Sequence, residues 1–167
     1  VLVDNPTARD NVTRFAASQG CQVRVEEGEG LFRLLLSKSP AGVEEPEAAA
    51  SPPATGKKTV VVLSSDIMGR GDRELGRILV KAFLNTLAES EETPWRLVLF
   101  NRGVLLAVEG EETVEAISNL LSLGVEVLVC GTCLDYFGLK ERLAVGMVSN
   151  MYDILQTMLM ATNSVSV

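Results

Sequence analysis

Two of the three cysteines in this 167-residue chain, Cys130 and Cys133, are separated only by Gly131 and Thr132 and directly follow the apolar run Val125–Val129. Thiols at this spacing can act in turn. One, as thiolate, attacks a sulfur or selenium electrophile, and the other resolves the adduct through a disulfide or trisulfide-type bridge. An apolar run followed by Gly and Thr, then by Leu134 to Leu143, predicts a buried strand whose carboxyl end turns into a helix. Open α/β sheets keep their chemistry at that end of their strands. Unpaired N–H groups and the positive end of the helix dipole both favour thiolate there, so the pair is expected to be reactive. Exposure favours Cys133 as the acceptor, because Cys130 still belongs to the strand. Gly131 and Thr132 would offer N–H groups to the anion. The plainer alternative is that Cys130 packs as a small apolar residue and only Cys133 meets solvent.

The chain has no histidine. A histidine-assisted cysteine or serine nucleophile is therefore excluded, and any nucleophile must be activated by backbone or by Arg and Lys. Zinc bound by Cys130, Cys133 and Asp135 would lack a proper fourth ligand, so neither a metal nor another cofactor is expected. A second candidate is Gly69-Arg70-Gly71, after the first strand of the larger domain and before a helix. An anion could rest there on backbone N–H groups with Arg70 or Arg73 adding charge. Glu74 stands where a dinucleotide fingerprint needs its third glycine, and no P-loop sequence is present. Turn geometry is the first reading of these glycines and an anion-binding loop the second. Cys21 reads as a core residue, Glu89, Glu91 and Glu92 as a solvated loop, and Met147, Met151, Met158 and Met160 as fillers of core or interface gaps.

The elements that must position these residues fall into two domains. Residues 39–57 hold four of the six prolines and almost no large apolar side chain, which predicts an extended linker. Before it, residues 1–38 read as β-α-β-β. Asn5 caps a helix that Pro6 opens, Val12, Phe15 and Ala16 share a face, Gly20 stops the helix, and strands follow over Cys21–Val25 and Leu31–Leu36. The chain starts inside a strand, so a preceding segment is expected. After the linker, residues 58–167 alternate strands and helices. Strands are predicted at Thr59–Leu63, Arg96–Asn101, Val125–Val129 and Ser164–Val167, with a short segment at Gly146–Ser149. Helices are predicted over Asp72–Glu89, with Leu75, Ile78, Leu79, Ala82 and Phe83 inward, and over Gly110–Leu123, Leu139–Leu143 and Asn150–Thr162. Val104–Val108 fits a strand or a short helix. The fold class is α/β, a mostly parallel sheet flanked by helices, preceded by a small incomplete α+β piece.

Net charge is −7, divided as 0 over residues 1–40, −2 over 41–57 and −5 over 58–167. An acidic chain without a basic patch is a poor partner for nucleic acid. No apolar run approaches the roughly 20 residues of a membrane span, so no membrane partner is expected. Three unevenly placed cysteines fit a reducing compartment, and the location is read as cytoplasmic.

Met68-Gly69-Arg70-Gly71-Asp72 with Leu75-Gly76, then Cys130-Gly131-Thr132-Cys133-Leu134, then Asn150-Met151-Tyr152-Asp153-Ile154, resemble in order the YedF family of selenium metabolism. Its members join an amino-terminal TusA/SirA-like domain to a DsrE-like domain. The resemblance implies a partial TusA/SirA-like domain at 1–38, a DsrE-like domain at 58–167, and a sulfurtransferase-like protein with sulfur or selenium donor and acceptor proteins as partners. A complete TusA/SirA-like domain carries Cys-Pro-x-Pro at its first helix, and this sequence has no such motif, so Cys21 does not take that role. Carry-over is confined to Cys130 and Cys133. The reading of another class is a non-catalytic DsrE-like module that self-associates and docks partners. Apolar residues on more than one face of 147–160 point to a homo-oligomer in either case.

Overall fold

In the computed structural model, residues 1–18, 20–28, 30–38 and 57–167 are described. The predicted linker, apart from Lys57, lies outside them. The chain divides into two units, Val1–Pro53 and Ala54–Val167.

In the first unit the order is β1 (Leu2–Val3), α1 (Pro6–Ser18), β2 (Cys21–Gly28) and β3 (Leu31–Lys38). The Ala8 N–H donates to Asn5 Oδ1 at 2.7 Å. This caps the helix that Pro6 opens, where its missing N–H costs nothing. Gly20, at φ 71°, turns the chain out of α1. The antiparallel sheet runs β1-β3-β2 and aligns Val25 with Leu34 and Cys21 with Lys38. Ala16, Phe32 and Leu34 are buried, and the Arg9 guanidinium lies 4.9 Å from the Phe32 ring centre. Phe15 is exposed rather than inward beside Ala16. Cys21 is half-buried at the start of a strand on the rim of this sheet, so it is not a core residue.

The second unit holds β4 (Thr59–Leu63), α2 (Arg73–Glu89), β5 (Arg96–Leu99), a 3₁₀ helix over Asn101–Ala107 and α3 (Val114–Ser122). There follow β6 (Glu126–Cys130), α4 (Gly131–Phe137), a 3₁₀ turn at Lys140–Arg142, β7 (Met147–Ser149), α5 (Met151–Met160) and β8 (Asn163–Ser166). The sheet order is β7-β6-β5-β4-β8 with every pair parallel. Helices flank this sheet, so strands buried on both faces read as unbroken apolar runs: Val60, Leu63, Leu97, Leu99, Val127 and Val129 are fully buried. The ambiguous stretch 104–108 is mostly 3₁₀ helix, ending at Ala107.

The inward face of α2 differs from expectation. Gly76, Val80 and Leu84 are buried, with Phe83 and Leu87 packed against the core, whereas Leu75, Ile78 and Leu79 are exposed. This helix is apolar on two sides, so periodicity alone does not choose between them. Gly76 decides it: a Cβ there would lie 2.9 Å from Ile67 Cβ and 3.2 Å from the Met68 carbonyl oxygen, so this glycine marks the side that meets the β4 loop. Met147, Met151 and Met160 are exposed and fill no core gap, while Met158 packs on the core.

Candidate functional site

Because all strands of the larger sheet run the same way, the segments leaving β4, β5 and β6 emerge at one edge. Cys130 is the last residue of β6 and precedes α4 as its cap. Its side chain is buried, whereas Cys133, in the first turn of α4, is half-buried. All three cysteines are free thiols. Gly131 is buried because β7 comes close: a Cβ there would lie 3.0 Å from Val148 Cγ1 and 3.1 Å from the Ser149 carbonyl oxygen. Thr132 is exposed. The four predicted residues thus share one turn, with the two thiols on its inner side.

The backbone N–H of Asn101 donates to Cys133 Sγ at 3.0 Å. Asn101 begins the 3₁₀ helix after β5 and has φ 50°, the left-handed region in which a non-glycine residue is strained. The next residue, Arg102, grips the Asp66 carboxylate through Nε to Oδ1 at 2.8 Å and Nη2 to Oδ2 at 3.0 Å. Arg73 of α2 donates from Nη2 to Asp66 Oδ2 at 2.7 Å. Asp66 is buried in the loop after β4, and the Arg102 hydrogen bonds hold its carboxyl below the ordinary carboxylate range despite that burial. Gly103 follows with no room for a side chain, since a Cβ would run into the Leu63 carbonyl oxygen.

Cys133 does not have the low pKa expected of a thiol at a helix amino terminus. Burial and the adjacent Cys130 thiol push it up to about 11, against the Asn101 N–H, which pulls it down. The helix is too short to reverse this. It spans seven residues instead of running on to Leu143, because Gly138 takes φ 65° and the Leu139 N–H closes back on the Leu134 carbonyl at 2.8 Å.

Gly69-Arg70-Gly71 lies on the loop between β4 and α2. Gly69 has φ 86° and is required by the turn; Gly71 stands in open space and Arg70 is exposed. The arginines that grip a carboxylate near this loop are Arg73 and Arg102. Asp66, Asn101 and Arg102 were not singled out by sequence. A polar residue tolerant of positive φ between a strand and Arg102-Gly103 was the one usable signal. Ser149, opposite Cys130 in the β6–β7 register, has a buried hydroxyl without a hydrogen-bond partner among the described residues.

An open parallel sheet with helices on its faces, carrying a two-cysteine turn at the carboxyl end of an inner strand, defines the class of protein. The chain belongs to the DsrE/DsrF-like family, which matches residues 57–165 and is associated with sulfur transfer. Solved structures share the fold. The crystal structure of the ychN protein from E. coli is 20% identical with a TM-score of 0.53, covering 67% of this chain and 100% of that one. Protein MTH1491 from Methanobacterium thermoautotrophicum, described as of unknown function, is 19% identical with a TM-score of 0.50, covering 67% and 100%. A search of curated proteins returned no match. Among the described residues no helix is long and apolar enough to cross a membrane.

Proposed function

We propose that this protein carries sulfur or selenium on Cys133 and passes it from a donor protein to an acceptor protein in the cytoplasm. The observation that carries this reading is the Asn101 N–H held 3.0 Å from Cys133 Sγ at the functional edge of the sheet, with a second thiol in the same turn. An N–H aimed at sulfur stabilises whichever sulfur species becomes anionic there. The Cys133 thiolate attacks the outer sulfur of a donor persulfide. The new S–S bond forms at Cys133 as the donor's own S–S bond breaks, and the donor leaves as a thiol with the proton Cys133 gives up. An acceptor thiolate then attacks the outer atom in the same way and regenerates Cys133. No net oxidation occurs, and a perselenide follows the same course. Cys130, as the neighbouring thiol, would assist release. The motif resemblance supports reading the chain as a member of the YedF branch of selenium metabolism, with residues 1–38 as part of a TusA/SirA-like domain.

A second reading has its own observation. A thiol at about 11 beside a buried Cys130 is that of a packed pair, as a partner-docking module would have. Incubating the reduced protein with a persulfide or perselenide donor and mapping added mass to peptides separates the two. Relay requires one added sulfur or selenium on Cys133, lost in Cys133→Ser and released more slowly in Cys130→Ser. Equal loading of wild type and the double variant leaves only the docking module.

A further inference from the structure

The sulfur chemistry above does not use Asp66, yet among the described residues Asp66 is the only buried side chain with a charge. Both partners of this carboxylate are more than one-third exposed, with Arg73 at 56% and Arg102 at 43%. Pairs reaching into solvent stabilise a fold little, and burying the acid has a cost of its own. What the arrangement does accomplish is geometric. The two-pronged grip on Arg102 fixes the residue immediately after Asn101, and the direction of the Asn101 N–H depends on the strained φ of 50° at that position. The other side of the turn is fixed too. The Phe100 N–H donates to the Leu63 carbonyl at 3.2 Å, the Gly103 N–H to the Phe100 carbonyl at 3.0 Å, and Gly103 lies flush on Leu63. The backbone of β4 holds the turn at Phe100 and Gly103; Asp66, from the loop after β4, holds it at Arg102.

We propose that Asp66 is a positioning residue for Cys133: by clamping Arg102 it holds the left-handed turn at Asn101 in the one conformation that presents its N–H to Cys133 Sγ. Three neighbouring strand ends thereby act as one unit, since the acid follows β4, the donor follows β5 and the sulfur follows β6. The proposal rests on the reading of Cys133 as the reacting atom, but its geometry can be tested without sulfur transfer.

Asp66→Asn in the full chain is the discriminating variant, because two effects of the acid act in opposite directions. If Asp66 influenced Cys133 only through its charge, neutralising it would favour thiolate and speed alkylation. If Asp66 acts by positioning, the N–H···S bond is lost, thiolate is disfavoured, and alkylation slows by roughly threefold or more. Two readouts on folded protein are needed: the amide proton shift of Asn101 by NMR, and the pH profile of iodoacetamide labelling at Cys133 by peptide mass spectrometry. Asp66→Asn should move the Asn101 amide proton upfield and shift the labelling profile to higher pH. Arg102→Lys, which keeps the charge but loses the fork, should move the same resonance and serves if Asp66→Asn does not fold. An unmoved Asn101 resonance in a folded variant, or labelling that stays equal or quickens, overturns the proposal. Wild-type protein that refuses sulfur and selenium while Asp66→Asn still moves both readouts would sink the relay reading and leave the positioning role standing.

Discussion

The backbone N–H of Asn101 meets Cys133 Sγ at 3.0 Å although 32 residues separate them. The contact exists because β5 and β6 are parallel neighbours, so the turn leaving one strand lies beside the helix leaving the other. It is opposed by burial and by the Cys130 thiol, which together leave Cys133 protonated at neutral pH.

Alkylation of Cys133 should therefore rise about tenfold per pH unit from neutrality and level off only near pH 11. The linkage follows from the same shift. The folded-state pKa stands above the ordinary thiol value of 9.0, so stability is unaffected by this group below that pH and falls as pH climbs toward 11. Urea unfolding of wild type and Cys133→Ser at pH 8 and pH 10.5 should show the larger alkaline loss in wild type. A labelling plateau at or below pH 8.5 would contradict the assignment.

Gly103→Ala should destabilise the protein by about 3 kcal/mol, since the added methyl collides with backbone at Leu63 and not with a side chain that can move. Gly71→Ala is its control. That glycine has no neighbour within 4 Å and no positive φ, and its substitution should change stability by less than about 0.5 kcal/mol. Similar denaturation midpoints for the two variants would refute the close packing of the turn.

Arg96 ties α5 to the sheet. Its Nε meets Glu126 Oε2 at 2.5 Å, its Nη1 donates to Thr157 Oγ1 at 2.8 Å, and its guanidinium lies 4.2 Å from the Trp95 ring centre. Arg96→Ala leaves the buried Thr157 hydroxyl without this donor and should cost about 2 kcal/mol in urea unfolding. Arg96→Lys should recover only part of it, because an ammonium cannot serve both positions. A cost under about 0.5 kcal/mol for Arg96→Ala would show that α5 is held by apolar contact alone.

Met151, Leu155 and Leu159 form an outward stripe on α5, with exposures of 58%, 48% and 69%. Such spacing on one helix face suits another apolar surface, and a closed homo-oligomer is expected. Sedimentation in reductant should give a multiple of 17.9 kDa for wild type, and Leu155→Glu should shift it toward the monomer. Wild type sedimenting cleanly at monomer mass would end this expectation.

The parts of the fold that were legible were those where one physical signal dominates. Unbroken apolar runs marked β4, β5 and β6, and Asn5-Pro6 marked the start of α1, because a cap and a missing N–H are local properties. The cysteine turn was legible for the same reason. What failed depended on distant neighbours. The buried side of α2 is chosen by the close approach of the β4 loop to Gly76, which no periodicity encodes. The 3₁₀ helix at Asn101–Ala107 follows from a turn pressed on Leu63, and Asp66 reads as an ordinary loop acid until Arg102 reaches it from another strand. The Cys133 pKa lies above what the sequence predicts because the helix dipole is a local signal, whereas burial is not.

Strand β8 carries a consequence for how this domain is made. It completes the sheet by pairing with β4, and Ser64 Oγ donates to the Val167 carbonyl at 3.4 Å across 103 residues of sequence. Adjacent parallel strands allow no hairpin, so each pairing closes a long loop, and folding of such a sheet is slow compared with helical proteins of equal size. During synthesis β4 can find β5 and then β6, so the edge that bears Asp66, Asn101 and Cys133 can assemble while Val60–Leu63 still lack a partner on their other side. Until residues 163–166 leave the ribosome, that apolar strand remains open to pairing with a neighbouring nascent chain. The pairing of β8 with β4, remote from the thiols, thus sets how long that side of β4 stays exposed to aggregation.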